Sequence, residues 1–476
     1  IEVRQGTCSI ARKQLPFGGC RAPRNTYLPP HMPSKKIQSA KQMKTSNKPL
    51  PELPENVRRT VLPNGVVVLS EWMSGQRSVS VGVWLGMGSR HDPVGKAGLA
   101  HLYEHMVFKG TAKRASSRIS RELEEVGGHL NAFTSREQTC FYAKVLDRDQ
   151  DRAVDLVCDL VTGAKLLSKD LDLERGVVLE EIRACDDDPE EVVGDLFAQT
   201  LWKNQPLGEP IAGTIGSVTP LSVADLRLHR DRSLSDEFPM LVAAAGNIDH
   251  DALVRLAAQG LEAKVCGAPP VQKIPKTGSK SVSRLVVEKD VTQVNLILSR
   301  RSVGAHAPDR HALGLVNLVL GGGMASRLNQ EIREKRGLAY SIYSFADFML
   351  GAGALGVSLG TEPAQAEKAV DLVAKEIAKI RQKGLSKRDL RFAKDYAAGA
   401  AVLALESPGS RMQNLGKCQL LYGRPLGLDE ILATIEAVTP DQVAQAIETH
   451  MPEISAANGW TLAAVVPEGF KGQLLA

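Results

Sequence analysis

The sequence predicts an α+β protein built from two homologous domains. A chain of 476 residues is longer than one ordinary hydrophobic core requires, so two or more domains are expected. The order of predicted strands and helices in the first half recurs in the second. The segment Ala-Val-Asp-Leu-Val occurs at residues 153–157 and again at 369–373, at the same place in that order. Two halves of about 200 residues with one plan indicate a duplication.

The first half begins with a predicted hairpin near residue 57. Two β-prone segments, at residues 59–62 and 66–69, flank a Pro-Asn-Gly turn signal. The pattern then predicts alternating strands and helices. Strands are expected at residues 79–85, 129–135 and 139–145, and helices at 97–107, 117–126, 149–167 and 168–186.

The second half is predicted to repeat this plan after a linker. The stretch at residues 266–280 is rich in Pro, Gly and Lys and has no apolar period, which is typical of a linker. Strands are expected at residues 291–298, 339–345 and 354–359, and helices at 311–320, 326–335 and 363–382. The predicted division is a tail at 1–55, a first domain at 56–265, a linker at 266–282 and a second domain at 283–476.

The positive charge is concentrated at the start of the chain. The net charge is +5, yet up to residue 50 the only acid is Glu2, against ten Lys or Arg, so the remainder is net acidic by four. This distribution argues against nucleic-acid binding by the body of the protein. Residues 1–55 are predicted to be a disordered basic tail. They are either a targeting segment or an unstructured or wrongly assigned start, with Met32 and Met43 as alternative starts.

The cysteine pattern excludes two kinds of structural site. The seven cysteines are widely spread and contain no Cys-x-x-Cys pair, so neither a disulfide framework nor a thiolate zinc site is expected. This usage fits a reducing compartment. No apolar run approaches 18 residues, and no membrane span is predicted.

The stretch His101-Leu-Tyr-Glu104-His105 carries the strongest chemical signal. It has the form H-x-x-E-H, and it falls on the helix predicted at residues 97–107. On a helix, His101 and His105 share one face and can reach one metal ion, with Glu104 beside it. A carboxylate at that place can take a proton from a water on the metal. A surface helix with two solvated histidines gives the same pattern, so the motif requires a third ligand.

The helix predicted at residues 168–186 offers three candidate third ligands. They are Glu174, Glu180 and Glu181. Glu174 and Glu181 are seven residues apart and lie on one face, whereas Glu180 points elsewhere. A surface helix also carries glutamates without binding a metal, and the spacing alone leaves the choice open.

The run from Gly98 to Thr111 resembles the active-site helix of M16 (pitrilysin-type) metallopeptidases, in particular processing-peptidase beta subunits and their bacterial relatives. The resemblance spans roughly residues 56–465. It implies, for each domain, a mixed, mostly antiparallel sheet packed with helices. The family's third ligand is a glutamate about 76 residues after the second histidine, and 181 minus 105 is 76. The resemblance thus implies one Zn²⁺ per chain on His101, His105 and Glu181, with Glu174 supporting the site.

The resemblance also implies a reaction and its further residues. Glu104 would be the general base of a zinc metalloendopeptidase acting on extended or unfolded, presequence-like peptides. Residues 127–135 resemble the family's edge strand that pairs with substrate, which places Asn131 and Ala132 against the peptide. Arg333 and Tyr340 match a pair that the family brings from its second domain to the substrate carbonyl.

The resemblance leaves the assembly and the compartment open. The family's catalytic unit has four such domains and this chain supplies two, so a dimer is expected, either of identical chains or with an alpha-like M16 subunit. The compartment is expected to be a bacterial cytoplasm or a mitochondrial matrix. The alternative function is a non-catalytic M16-like core subunit of a larger complex. Such subunits typically lose motif residues, and this chain keeps them.

Overall fold

A computed structural model of the chain describes residues 53–262 and 284–474. Nearly all of the predicted tail and the whole of the predicted linker lie outside these residues. In the described part, no helix is both long and apolar enough to cross a membrane. Four cysteines fall within it, and all four are free thiols: Cys140, Cys158, Cys185 and Cys418.

Within residues 53–262 one mixed sheet of six strands has the order β1-β2-β6-β3-β5-β4. Only β2 and β6 pair in parallel, and the other neighbours are antiparallel. Its strands are β1 (Val57–Val61), β2 (Val67–Trp72), β3 (Ser78–Leu85), β4 (His129–Thr134), β5 (Thr139–Leu146) and β6 (Met240–Gly246). Its helices are α1 (Leu99–Val107), α2 (Ser116–Glu124), α3 (Gln150–Gly163), α4 (Ser168–Asp186), α5 (Pro189–Leu201), α6 (Ile215–Val218), α7 (Val223–Ser233) and α8 (His250–Gly260).

Within residues 284–474 a second sheet of five strands has the order β7-β11-β8-β10-β9, with only β7 and β11 in parallel. Its strands are β7 (Arg284–Lys289), β8 (Val294–Ser302), β9 (Ser341–Met349), β10 (Ala352–Thr361) and β11 (Thr461–Pro467). Its helices are α9 (Arg310–Gly321), α10 (Ala366–Lys383), α11 (Lys387–Ala404), α12 (Pro408–Tyr422), α13 (Leu428–Glu436) and α14 (Pro440–His450). This strand order repeats that of the first sheet without a counterpart of β1. The prediction of two homologous α+β domains is therefore confirmed.

Two helices are exchanged between the halves. The helix α5 belongs to the first half but packs on the second sheet, where Leu196 and Leu201 join a cluster with Phe345. The helix α12 belongs to the second half but packs on the first sheet, where Met412 and Leu415 are buried in one cluster. Each sheet thus carries its own helices on one face and a helix of the other half on the opposite face, which fixes the two halves to each other.

One predicted helix has a different geometry in the structure. The segment predicted as a helix at residues 326–335 contains a π-helical stretch at Asn329–Glu334. The apolar period that predicts a helix does not distinguish i→i+4 from i→i+5 hydrogen bonds. Strand β9 also continues to Met349, four residues beyond its predicted end, because it pairs with β10 along its whole length.

Candidate metal centre

The helix α1 is buried along its whole length. All nine of its residues are buried, and His101, Glu104 and His105 are at most 1% exposed. The reading of the motif as a solvated surface helix is therefore wrong. The start of α1 is held by Asp92, whose carboxylate accepts the backbone N–H groups of Gly98 (3.1 Å) and Ala100 (3.0 Å). These are backbone donors that a helix leaves unpaired at its N-terminus.

Helix α4 packs against α1 and brings a glutamate to the two histidines. Oε2 of Glu181 lies 3.4 Å from Nε2 of His105 and 3.8 Å from Nε2 of His101. Among the described residues, these three side chains form the one group whose ligand atoms converge, within 4.8 Å of one another. A tetrahedral ion with bonds of about 2.0–2.1 Å holds its ligands roughly 3.3 Å apart, so the spacing suits such an ion.

The unsatisfied nitrogens of the two histidines support a metal site. Neither ring nitrogen of His101, nor Nε2 of His105, has a hydrogen-bond partner in the described part of the chain, although all are buried. Buried polar atoms without partners are costly and therefore rare. An ion coordinated by Nε2 of His101 and Nε2 of His105 would remove that cost at these two atoms, so the residues present fit a bound metal.

The two histidines have opposite electrostatic environments. Burial, assisted by the neighbouring His105, lowers the pKa of His101 to about 3, so its ring is neutral as a metal ligand must be. Burial also lowers the pKa of His105, but its contacts with Glu174 and Glu181 outweigh that effect and raise the pKa to about 9. The same negative charges that attract a proton to His105 also attract a cation.

Glu174 supports His105 from the side away from the cluster. Its Oε2 lies 3.3 Å from Nδ1 of His105, and its other oxygen pairs with Lys109. Burial raises the pKa of Glu174, but the bonds from His105 and Lys109 outweigh it and hold the pKa below its usual value. An ionised carboxylate on Nδ1 orients the ring so that Nε2 faces the cluster, as supporting carboxylates do at metal sites.

Glu104 presents one free oxygen. Its Oε2 accepts a hydrogen bond from the hydroxyl of Thr134 at 2.5 Å. Its Oε1 is buried and has no partner among residues 53–262 and 284–474. Burial raises the pKa of Glu104 to about 7, although Thr134 and His105 act in the opposite direction. A carboxyl group with a pKa near neutrality suits proton transfer.

The structure places the predicted substrate strand next to this centre. Asn131 and Ala132 lie on β4, the last strand in the order of the first sheet, where they pair with Tyr142 and Phe141 of β5. No described strand pairs with the other edge of β4. The Asn131 amide oxygen accepts the backbone N–H of Ala132 at 2.9 Å.

Arg333 and Tyr340 lie in the second half, shortly before the start of β9. Arg333 is exposed in the π-helical stretch, and Tyr340, just before β9, is 78% exposed. The other end of β9 meets the first half, where the backbone N–H of Leu350 donates to Glu137 in the β4–β5 turn. A strand rises about 3.3 Å per residue, so Tyr340 is separated from Leu350 by roughly 30 Å.

The structure also shows supporting residues that the sequence did not single out. These are Asp92 at the start of α1, Thr134 beside Glu104, and Lys109 beside Glu174. Thr134 follows Ala132 on the same face of a predicted strand, so a polar residue facing the core was a usable signal. Among the candidate third ligands, Glu180 is 74% exposed and pairs with Arg183, which leaves Glu181 at the histidines.

The fold and these ligands define a two-domain protein with a candidate metal centre in its first half. A family model described as insulinase (peptidase family M16) matches residues 67–215. A second, described as peptidase M16 inactive domain, matches residues 220–396.

Curated relatives and solved structures are similar to more than four fifths of the chain. A protein of Streptomyces coelicolor named as an uncharacterized zinc protease is 38% identical over 81% of this chain and 85% of its own length. One of Mycobacterium tuberculosis with the same description is 40% identical over 83% and 90%. A solved structure described as peptidase M16 inactive domain, from Pseudomonas fluorescens, is 22% identical with a TM-score of 0.78, covering 88% of this chain and 100% of that one. The chain belongs to peptidase family M16.

Proposed function

We propose that this chain is a zinc-dependent endopeptidase that cleaves extended or unfolded, presequence-like peptides. One observation carries the proposal: the ligand atoms of His101, His105 and Glu181 converge, and Glu104 of the same helix as the histidines has an oxygen without a partner in the described part of the chain. The family and the relatives named as zinc proteases support it. Two imidazoles and one carboxylate are a ligand set typical of catalytic zinc, with one zinc per chain.

The reaction assigns distinct roles to the residues of the centre. His101, His105 and Glu181 would hold a zinc ion, which would supply Lewis-acid chemistry to the water molecule and the peptide carbonyl. Oε1 of Glu104 accepts the proton of the attacking water, and the same group later gives that proton to the leaving amine. Glu174 keeps His105 oriented while charge develops at the centre.

The peptide binds as an added strand along β4. The unpaired edge of β4 offers main-chain groups that recognise an extended backbone whatever its sequence. Asn131 and Ala132 lie on this strand, and Thr134 at its end contacts Glu104. A peptide paired with β4 therefore passes beside the proposed general base. A folded substrate has no free strand to offer, which explains the preference for extended or unfolded peptides.

Arg333 and Tyr340 donate hydrogen bonds to the carbonyl oxygen as it gains charge. Both side chains are exposed on the second half. The proposal therefore includes a dimer, of identical chains or with an alpha-like M16 subunit, in which the second half of one chain contributes to the cleft of the other.

The test replaces Glu104 with Gln and measures peptide cleavage and zinc content in parallel. The Glu104→Gln side chain keeps its size but cannot accept the proton, so cleavage should fall by at least about 100-fold while zinc stays bound. Glu180→Gln is the matched control, because it makes the same charge change at an exposed position of α4. Cleavage by Glu104→Gln at the wild-type rate, with zinc bound, would overturn the mechanism.

Zinc content and cleavage by the pure chain also distinguish a peptidase from a non-catalytic M16-like subunit. A peptidase contains zinc and cleaves a presequence-like peptide, and a chelator abolishes that cleavage. A scaffold subunit gives no chelator-sensitive cleavage at any concentration of the pure chain, alone or with an alpha-like partner.

A further inference from the structure

The two oxygens of the Glu104 carboxylate have different surroundings. Oε2 accepts the hydroxyl proton of Thr134 at 2.5 Å, whereas Oε1 has no hydrogen-bond partner in the described part of the chain. Glu104 and Thr134 are both 0% exposed, so water does not compete for this bond. A hydroxyl bonded to a carboxylate at this distance is among the strong hydrogen bonds of proteins.

Thr134 is itself held in one position. It is the last residue of β4 and pairs in register with Thr139 of β5, so its backbone is fixed by the sheet. Its β-branched side chain has few rotamers. The last side-chain torsion angle of a glutamate otherwise has a broad distribution, so a carboxylate without such a donor rotates. The Thr134 hydroxyl therefore holds the Glu104 carboxylate in one orientation.

We propose that Thr134 is a positioning residue, whose hydroxyl holds the Glu104 carboxylate so that Oε1 faces the substrate and the attacking water. This inference rests on the proposed function, because it assigns Glu104 as the general base. Since Thr134 lies on the strand that is proposed to bind the peptide, the strand that aligns the substrate also aligns the base.

The chain contains a matched control in Thr139. It is the register partner of Thr134 and is also 0% exposed. Its hydroxyl donates to the backbone oxygen of Met87 at 3.1 Å rather than to Glu104. Thr134→Val and Thr139→Val therefore remove the same group from paired, equally buried positions of one hairpin.

The experiment measures kcat, KM and zinc affinity for the zinc-loaded full chain and its variants on one presequence-like peptide. Thr134→Val should lower kcat by about 10- to 100-fold, because it removes a hydrogen bond to a charged group. Its KM and zinc affinity should remain within about threefold of wild type, since no ligand or strand contact is removed. Thr134→Ser keeps the hydroxyl and should recover most of the rate, and Thr139→Val should match wild type.

Three results would overturn the inference. They are a wild-type kcat in Thr134→Val, a Thr134→Ser variant as slow as Thr134→Val, and an equal loss in Thr139→Val. If Thr134→Val does not fold, the comparison of Thr134→Ser with Thr134→Ala replaces it. Glu104→Gln in the same series separates the two proposals. Wild-type cleavage by Glu104→Gln overturns the proposed function as well, whereas an inactive Glu104→Gln beside a fully active Thr134→Val overturns only the role of Thr134.

Discussion

Replacing Glu174 with Gln should weaken zinc binding without removing a ligand. Glu174 is 5% exposed and lies between His105 and Lys109. Glu174→Gln conserves the size of the side chain and its capacity for hydrogen bonds, but removes the negative charge. Nδ1 of His105 then loses its charged partner, and the ammonium group of Lys109 loses the carboxylate that neutralises it.

The expected loss of zinc affinity follows from the contact of Glu174 with Nδ1 of His105. Loss of a supporting partner of a metal-binding histidine typically costs 10- to 100-fold in metal affinity. That range corresponds to about 1.4–2.7 kcal/mol. The unpaired charge of Lys109 acts in the same direction, because a cation near the centre repels a metal ion. Both contributions place the expected loss for Glu174→Gln well above the scatter of an affinity measurement.

The assay is a competition titration of zinc between the protein and a chromophoric chelator. Glu180→Gln is the control, since Glu180 lies on the same helix, is 74% exposed and pairs with Arg183. An exposed ion pair contributes at most about 1 kcal/mol, and this one lies outside the cluster, so its zinc affinity should stay near the wild-type value. Wild-type affinity in Glu174→Gln would refute the supporting role. An equal loss in both variants would attribute the effect to net charge instead.

Two further predictions concern stability. Met412 is 0% exposed where α12 packs on the first sheet. Met412→Ala should therefore lower the free energy of unfolding by about 2–5 kcal/mol. A denaturant titration that shows a loss of less than about 1 kcal/mol would contradict that packing. Burial, assisted by Arg232 and His91, lowers the pKa of His229 to about 3. Below about pH 6.5 the unfolded chain binds a proton at this ring, whereas the folded chain keeps the ring neutral. Stability is therefore lost as pH falls from about 6.5 toward 3, by about 1.4 kcal/mol per pH unit, and His229→Gln should flatten this slope when unfolding is compared at pH 7.5 and 5.5. An unchanged slope would count against the neutral buried ring.

Most of the elements that form the centre were predictable because their signals are local. Helix α1 was expected at residues 97–107 and occurs at Leu99–Val107. The hairpin of β4 and β5 was expected within one residue of its observed bounds, since Gly127 ends the preceding helix region and alternation marks both strands. The exchange of α5 and α12 was not predictable, because an amphipathic pattern shows which face of a helix is apolar but not which sheet covers that face.

The choice among the glutamates of α4 shows the same limit at the level of one residue. Helical spacing excludes Glu180 from the face shared by Glu174 and Glu181, yet it does not say which of these two reaches the histidines. The packing of α4 on α1 decides this, with Glu181 at the Nε2 atoms and Glu174 at Nδ1 of His105. Arg333 and Tyr340 remain predictions, since both side chains are exposed and neither is among the three converging ligands.

The sequence by itself determined the plan of two homologous domains and the helix that carries the H-x-x-E-H motif. Periodicity, turn signals and the spacing of His101, Glu104 and His105 are properties of neighbouring residues, and neighbouring residues control helices and hairpins. Only the tertiary structure decided that α1 is buried, that Glu181 lies at the Nε2 atoms of both histidines, and that one oxygen of Glu104 has no partner in the described part of the chain. Those facts depend on contacts between segments 30 or more positions apart, and no local pattern records the distance between two packed elements.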